Sequence, residues 1–210
     1  MKHSTTEVVH IVKKEKMKIV FLDVDGVLNS SRSVLGRAGP TQTEEVVKAL
    51  AELRTLYNVE DERSLPFSAE YTVNTIDPVA VALVNRLIYE ARALLVLSTS
   101  HRNMFVDNAK GAAYGSKTHM YRLGLYFKAM GIAAPIYGIT PKLHVERGVE
   151  VKQWLDAHSH SVTHYVILDD ARDFHSSQPL IWCDPNIGFS SGNFFTASKE
   201  LGLAETSLIY

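Results

Sequence analysis

The chain has 210 residues and 23.4 kDa, a length that fits one domain with room for a small insert and a core that needs no staples. Hydrophobic residues at 46% and charged residues at 21% exclude a disordered, collagen-like or disulfide-built chain. Lys plus Arg (22) nearly balances Asp plus Glu (23), so the net charge of -1 indicates no general polyanion binder, though a local basic patch stays open.

Residues 1–16 read as an N-terminal extension, in which Val8 to Val12 either adds an edge strand or belongs to an arm. The domain proper starts at Met17, with a first buried strand over Ile19–Val24. Thr43 can cap a helix to about Tyr57, with Val46, Leu50, Leu53 and Tyr57 on one face. A polar stretch, Asn58–Glu70, follows. Asp77 before Pro78 is a cap with proline at the first helical position, and that helix turns Ala80, Leu83, Leu87 and Ala91 inward. The second strand is Leu94–Thr99. A helix from Thr118 carries Met120, Leu123, Phe127 and Met130 and ends at Gly131. Then come a strand at Ile136–Ile139, a helix from about Val145 to Ala157, and strands at Tyr165–Leu168 and Leu180–Cys183.

Strands alternating with helices predict an α/β, Rossmann-like three-layer sandwich: a mostly parallel five-stranded sheet covered on both faces. Residues 17–210 then form one domain, with an insert at about 30–78. Ligands of such sheets sit at the C-terminal strand ends, so the polar residues just after each apolar run are where chemistry belongs.

The first run ends Asp23-Val24-Asp25-Gly26. Residues two apart on a strand share a face, so these carboxylates can point together, and they repel unless a cation binds them. The fourth run ends Asp169-Asp170, with Asp173 three residues on. A parallel sheet can set both acidic ends side by side. An all-oxygen set without Cys or paired His suits a hard cation, Mg²⁺ first. The second run ends Ser98-Thr99-Ser100-His101-Arg102, hydroxyls and an arginine that suit phosphate. Lys142, Arg147 and Lys152 add positive charge around the fourth predicted helix. Acids for a metal beside hydroxyls and cations for phosphate are equipment for phosphoryl transfer.

FLDVDGVLN resembles the first motif of the haloacid dehalogenase (HAD) superfamily of aspartate-nucleophile phosphatases. LLVLSTSHR is similar to its second motif, YVILDDARD to its fourth, and RGVEVKQWL stands where the basic third belongs. The finer texture, from DGVLN through ITP to DPNIGF, resembles the HAD domains associated with Swiss army knife RNA-repair proteins, with His101 where that branch often has Trp. The resemblance implies a HAD-like fold with a small cap or flap. It implies Asp23 as nucleophile and Asp25 as general acid and base. It implies Mg²⁺ held by Asp23, the Asp25 carbonyl and Asp170, with Asp169 beside it. Thr99, with Ser98 and Ser100 as competitors, would bind phosphate. The basic residue is Arg147 first, Lys142 second, Lys152 third. A small cap admits large substrates, and Asn29, Ser30, Arg32, Arg37 and Arg102 are candidates to contact them. The expected substrate is a phosphomonoester, with a nucleotide or an RNA or DNA end favoured on resemblance alone.

Other features read more plainly. His158, His160 and His164 fit a solvated loop better than a metal site. GAAYGSKT mimics a P-loop, but Ser116 replaces the second glycine and no strand directly precedes it. Cys183, the single cysteine, excludes an intramolecular disulfide and a thiolate zinc cage, fits a reducing compartment, and reads as a small buried residue. No apolar run approaches the ~18 residues of a membrane span and residues 1–16 lack a signal-peptide core, so no membrane partner and a cytoplasmic location are expected. Two rival functions remain: a catalytically silent module that binds metal, phosphate or a partner on the same fold, and a phosphotransferase.

Overall fold

The computed structural model describes residues 16–36, 38–61 and 65–204. Five strands form one sheet: β1 (Met17–Leu22), β2 (Leu94–Leu97), β3 (Ile136–Ile139), β4 (Val162–Asp169) and β5 (Leu180–Trp182). Their order is β3-β2-β1-β4-β5 and every pairing is parallel. The helices are α1 (Ser31–Leu35), α2 (Glu44–Asp61), α3 (Phe67–Thr75), α4 (Pro78–Ala91), α5 (Lys117–Ala129), α6 (Arg147–His158) and α7 (Ser191–Glu200). The α/β fold read from the sequence is the fold observed. The extension proposed for residues 1–16, with its edge strand, lies almost wholly outside the described residues, as does Arg37.

Two-residue alternation along β1 makes both layers. Val20 and Leu22 face a large core built with Val84 and Leu87 of α4, Leu123 and Tyr126 of α5, and Phe194 of α7. Ile19 and Phe21 face the other way, onto Val151 and Trp154 of α6. Phe21 meets Trp154 edge-on, with ring centroids 5.3 Å apart. These four β1 side chains, Ile19 to Leu22, are fully buried, as the central strand of a covered parallel sheet requires.

Asp77 caps α4 as expected, accepting from the Val79 N–H at 2.8 Å. Ser116, the residue that spoils the P-loop pattern, accepts from His119 N at 3.2 Å and caps α5. Three helices were not foreseen. α1 and α3 lie in the insert with α2, and α7 follows β5 in the chain and packs into the large core beside α4. β1 also ends two residues earlier than expected, which places Asp23 just past the strand rather than within it. Among the described residues no helix is long and apolar enough to cross a membrane.

Candidate active site

Asp23 follows the last residue of β1, and its N–H continues the ladder to Leu168 O at 3.0 Å. Its side chain is 1% exposed. The chain then folds back at once. Leu28 N donates to Val24 O at 2.8 Å, and Gly26 takes a left-handed φ of 72°. A Cβ at Gly26 would lie 2.4 Å from Asp170 Oδ2, so glycine lets the acidic end of β4 close against this turn. The turn separates the two aspartates of the first motif. Asp25 stands at its rim with a side chain 59% exposed, while Asp23 points into the protein.

Asp23, Asp169 and Asp170 each bring an oxygen within 4.8 Å of the others. Arg147, the first residue of α6, reaches into the group. Its Nη1 lies 2.6 Å from Asp169 Oδ2 and 2.8 Å from Asp23 Oδ2. Yet both Asp23 oxygens are buried without an aligned hydrogen bond. Buried polar atoms are rarely left so, and three clustered carboxylates, Asp23 among them, fit a divalent cation such as Mg²⁺. The Asp25 side chain is not part of this cluster.

Electrostatics say the same. Burial, then the Asp23 charge, push Asp169 up to about 7. The same two causes raise Asp170. Burial works against the Arg147 charge, but Asp23 and Asp169 more than offset it and hold the guanidinium charged. Asp25 is held below the usual carboxylate range, first by its hydrogen bond with His101, with burial opposing. One arginine therefore faces three crowded acids.

Loops fix these groups. Asp173 Oδ2 accepts from the Arg147 N–H at 3.1 Å, and Asp173 O accepts from Gly148 N at 3.1 Å. A Cβ at Gly148 would come within 2.9 Å of Phe174 Cα, so the loop after β4 lies directly on the first turn of α6. Lys142 is exposed, and Lys152 pairs with Asp156 on the outer face of α6. Arg147 is the basic residue that meets the acids.

The hydroxyls divide differently. Ser98 is buried, its Oγ without a partner. Thr99, fully buried, accepts from His101 N at 3.2 Å and caps a 3₁₀ turn over Ser100–Asn103. Ser100 is exposed.

Two expected substrate contacts have other work. Arg102 is buried and ion-paired with buried Glu150. It also donates to Thr99 O at 2.6 Å and to the Tyr114 hydroxyl at 3.1 Å. That buried set holds the guanidinium within the protein rather than toward the cluster of acids. Asn29 is 7% exposed and ties the turn together, accepting from Gly26 N and donating to Asp25 Oδ1, each at 3.1 Å. Arg32 remains accessible, its side chain 67% exposed and 3.2 Å from Asp77. One contributor escaped the sequence reading, Glu150 against Arg102; Asp173 stood among the acids after the fourth run, and the structure puts it at the start of α6. His101 stood in the second motif, but nothing there named its partner.

Residues 19–194 match the model of the family described as the HAD domain in Swiss Army Knife RNA repair proteins. The chain belongs to this family. No curated protein matches it. Among solved structures it is similar to a hydrolase of the haloacid dehalogenase-like family from Streptococcus pneumoniae. That likeness has 14% identity over 75% of this chain and 77% of the other, with a TM-score of 0.32.

Proposed function

We propose that this HAD-family protein is a Mg²⁺-dependent phosphomonoester hydrolase. The observation that carries the reading is the buried Asp23 carboxylate, ion-paired with Arg147 but without an aligned hydrogen bond, gathered with Asp169 and Asp170 and flanked by Asp25. Asp23, Asp169 and Asp170 would hold the ion. When bound, the ion neutralises charge, so that an anionic nucleophile can meet an anionic ester.

Asp23 attacks phosphorus, the bond to the leaving oxygen breaks, and Asp25 gives that oxygen its proton. An aspartyl-phosphate on Asp23 results. Asp25, now a carboxylate, takes a proton from water as the water attacks phosphorus. Phosphate leaves and the Asp23 carboxylate is restored. Arg147 stabilises charge on the phosphoryl oxygens, with a geometry that can be bidentate. The Thr99 hydroxyl keeps its own proton to donate to a phosphoryl oxygen.

The substrate we favour is a nucleotide or a nucleic-acid end. A hollow of about 510 Å³ opens beside Asp25, lined by Val34, Leu35 and Tyr71. Tyr71 stacks on Phe67, centroids 6.0 Å apart, and Phe67 is 84% exposed. Tyr71 brings this exposed aromatic pair to the hollow beside Asp25, and such a pair suits a base, since stacking contributes roughly 1–3 kcal/mol.

The test is hydrolysis of an aryl phosphate with Mg²⁺, with and without chelator, by wild type and Asp23→Asn. Turnover that needs the metal and vanishes in the variant is expected. Activity retained by Asp23→Asn would move the nucleophile elsewhere. Comparing mononucleotides, sugar phosphates and phosphorylated RNA or DNA ends then tests the substrate class, and a sugar phosphate with the highest kcat/KM would overturn it.

A further inference from the structure

Asp25 sits at the rim of the site on a short turn, where a half-exposed carboxylate would ordinarily sample several rotamers. Here both oxygens are held. Oδ1 accepts from Asn29 Nδ2 at 3.1 Å, and Oδ2 faces His101 Nε2 at 2.9 Å. His101 is 5% exposed, and its Nδ1 lies 2.9 Å from the Tyr126 hydroxyl. Tyr126 is fully buried, its ring nearly parallel to the imidazole (9°). Phe105 and Phe127 wedge it edge-on, with centroids at 5.3 and 5.8 Å. A line of contacts thus runs from the solvent-facing acid into the rigid core.

Chemistry fixes the roles along it. Asp25 Oδ2 can accept from His101 Nε2–H both as a carboxylate and as an acid whose proton sits on Oδ1, so the hydrogen toward Oδ2 is assigned to His101 Nε2. In the neutral ring the Nδ1 lone pair takes the Tyr126 O–H. A buried imidazole is costly unless its nitrogens are paired, and here both are. The ring cannot swing toward solvent without giving up both bonds.

We propose that His101 is a positioning residue for leaving-group protonation: its Nε2–H aims the Asp25 carboxyl, and the Tyr126 hydroxyl holds the imidazole behind it. The proposal rests on the reading of Asp25 as the general acid. A group that merely filled space would affect all esters alike. A group that aims the acid matters most where the leaving oxygen most needs its proton.

The experiment compares kcat and KM for an aryl and an alkyl phosphate in His101→Phe, His101→Gln, Tyr126→Phe and Asp25→Asn. His101→Phe keeps the flat ring and loses both bonds. Its kcat should fall about 100-fold on the alkyl ester and under about threefold on the aryl ester, with KM little changed, because misaiming a catalytic group costs on the order of 10². Glutamine can place an amide N–H near the Nε2 position, so His101→Gln should recover most of the alkyl activity. Tyr126→Phe should show a smaller loss with the same selectivity. Equal losses on both esters, no loss, or glutamine no better than phenylalanine would overturn the proposal. If His101→Phe does not fold, the glutamine and Tyr126→Phe variants decide by the same selectivity. Should Asp25→Asn slow both esters equally, the acid assignment fails and this proposal with it. Should Asp25→Asn be selective while the His101 variants are not, only the role of His101 fails.

Discussion

Replacing Arg102 by methionine should unfold the protein at a markedly lower temperature, rather than weaken substrate binding. The Arg102 side chain is 6% exposed and that of Glu150 is 4%, so each neutralises the other out of water. The arginine also donates to Thr99 O, and Glu150 Oε1 accepts from Leu143 N at 2.9 Å. Methionine fills much of the volume but leaves the carboxylate buried and uncompensated. Breaking one side of such a pair costs about 3–5 kcal/mol. For a chain of this size each kcal/mol moves Tm by about 2–4 °C, so the drop should be about 6–20 °C. The double variant Arg102→Met, Glu150→Gln removes both charges while keeping an acceptor for Leu143 N. It should regain most of the loss. Thr99 O keeps the backbone N–H of residue 102 at 3.2 Å, so the Tyr114 hydroxyl is what loses its donor, a residual cost of about 0.5–1.5 kcal/mol. Thermal denaturation of the three proteins, with KM for an aryl phosphate measured below every Tm, gives the answer. A single variant with Tm unchanged and KM raised tenfold would return Arg102 to the substrate and refute the structural account. A double variant no more stable than the single would refute the buried-charge argument.

Mg²⁺ should stabilise the folded protein, because it would bind a cluster that only the fold assembles. At a concentration 100 times Kd the gain is about 2.7 kcal/mol, or about 5–11 °C in Tm. Asp170→Asn should lose most of that shift, and a wild-type Tm indifferent to millimolar Mg²⁺ would reject the site. Without metal, Asp169 predicts a pH slope. Its pKa is raised, to about 7 in the fold, against ~3.9 unfolded. Between those values the folded state holds more of that proton, so this group's contribution to stability is lost as pH rises through the window. In chelator, Asp169→Asn should therefore gain on wild type at pH 7 relative to pH 4, and a constant difference in Tm would contradict the assignment.

The strands and the acids were legible because both obey local rules. Ile19–Leu22 is a short apolar run that stops at polar residues, and a parallel sheet collects such stops on one edge. Asp23, Asp169 and Asp170 come from those stops, and Arg147 opens the helix that follows one of them. α3 was hidden because Pro66 precedes it without a side-chain cap and its sequence is mixed in helix propensity. α7 has a capping box closed by Asn193 rather than the Glu or Gln that marks one in sequence. Arg102 and His101 show a different limit. Each is a polar residue in the second motif, and its role depends on which distant group the fold supplies. Glu150 comes from α6, Tyr126 from α5, and Asp25 from the β1 turn. No spacing along the chain encodes those meetings.

Arg147 nonetheless lay in reach of sequence reasoning, and the topology explains why. β3 and β4 are separated in the sheet by β2 and β1. The connection between them must cross the central strand, and α6 does so on the face that carries Phe21, where Trp154 packs. A helix that follows a parallel strand begins at that strand's C-terminal edge, which is where β1 delivers Asp23 and β4 delivers Asp169. The first residue of α6 is thus set among the strand ends before any side chain is chosen. A long cation there can reach the acids, while Lys152, further along the helix, is left with Asp156 at 2.6 Å. Asp173 and Gly148 then lock that first turn to the loop that follows the acids themselves. The positive partner and the negative cluster are fastened to one another through backbone, so their separation does not depend on the flexibility of the arginine alone.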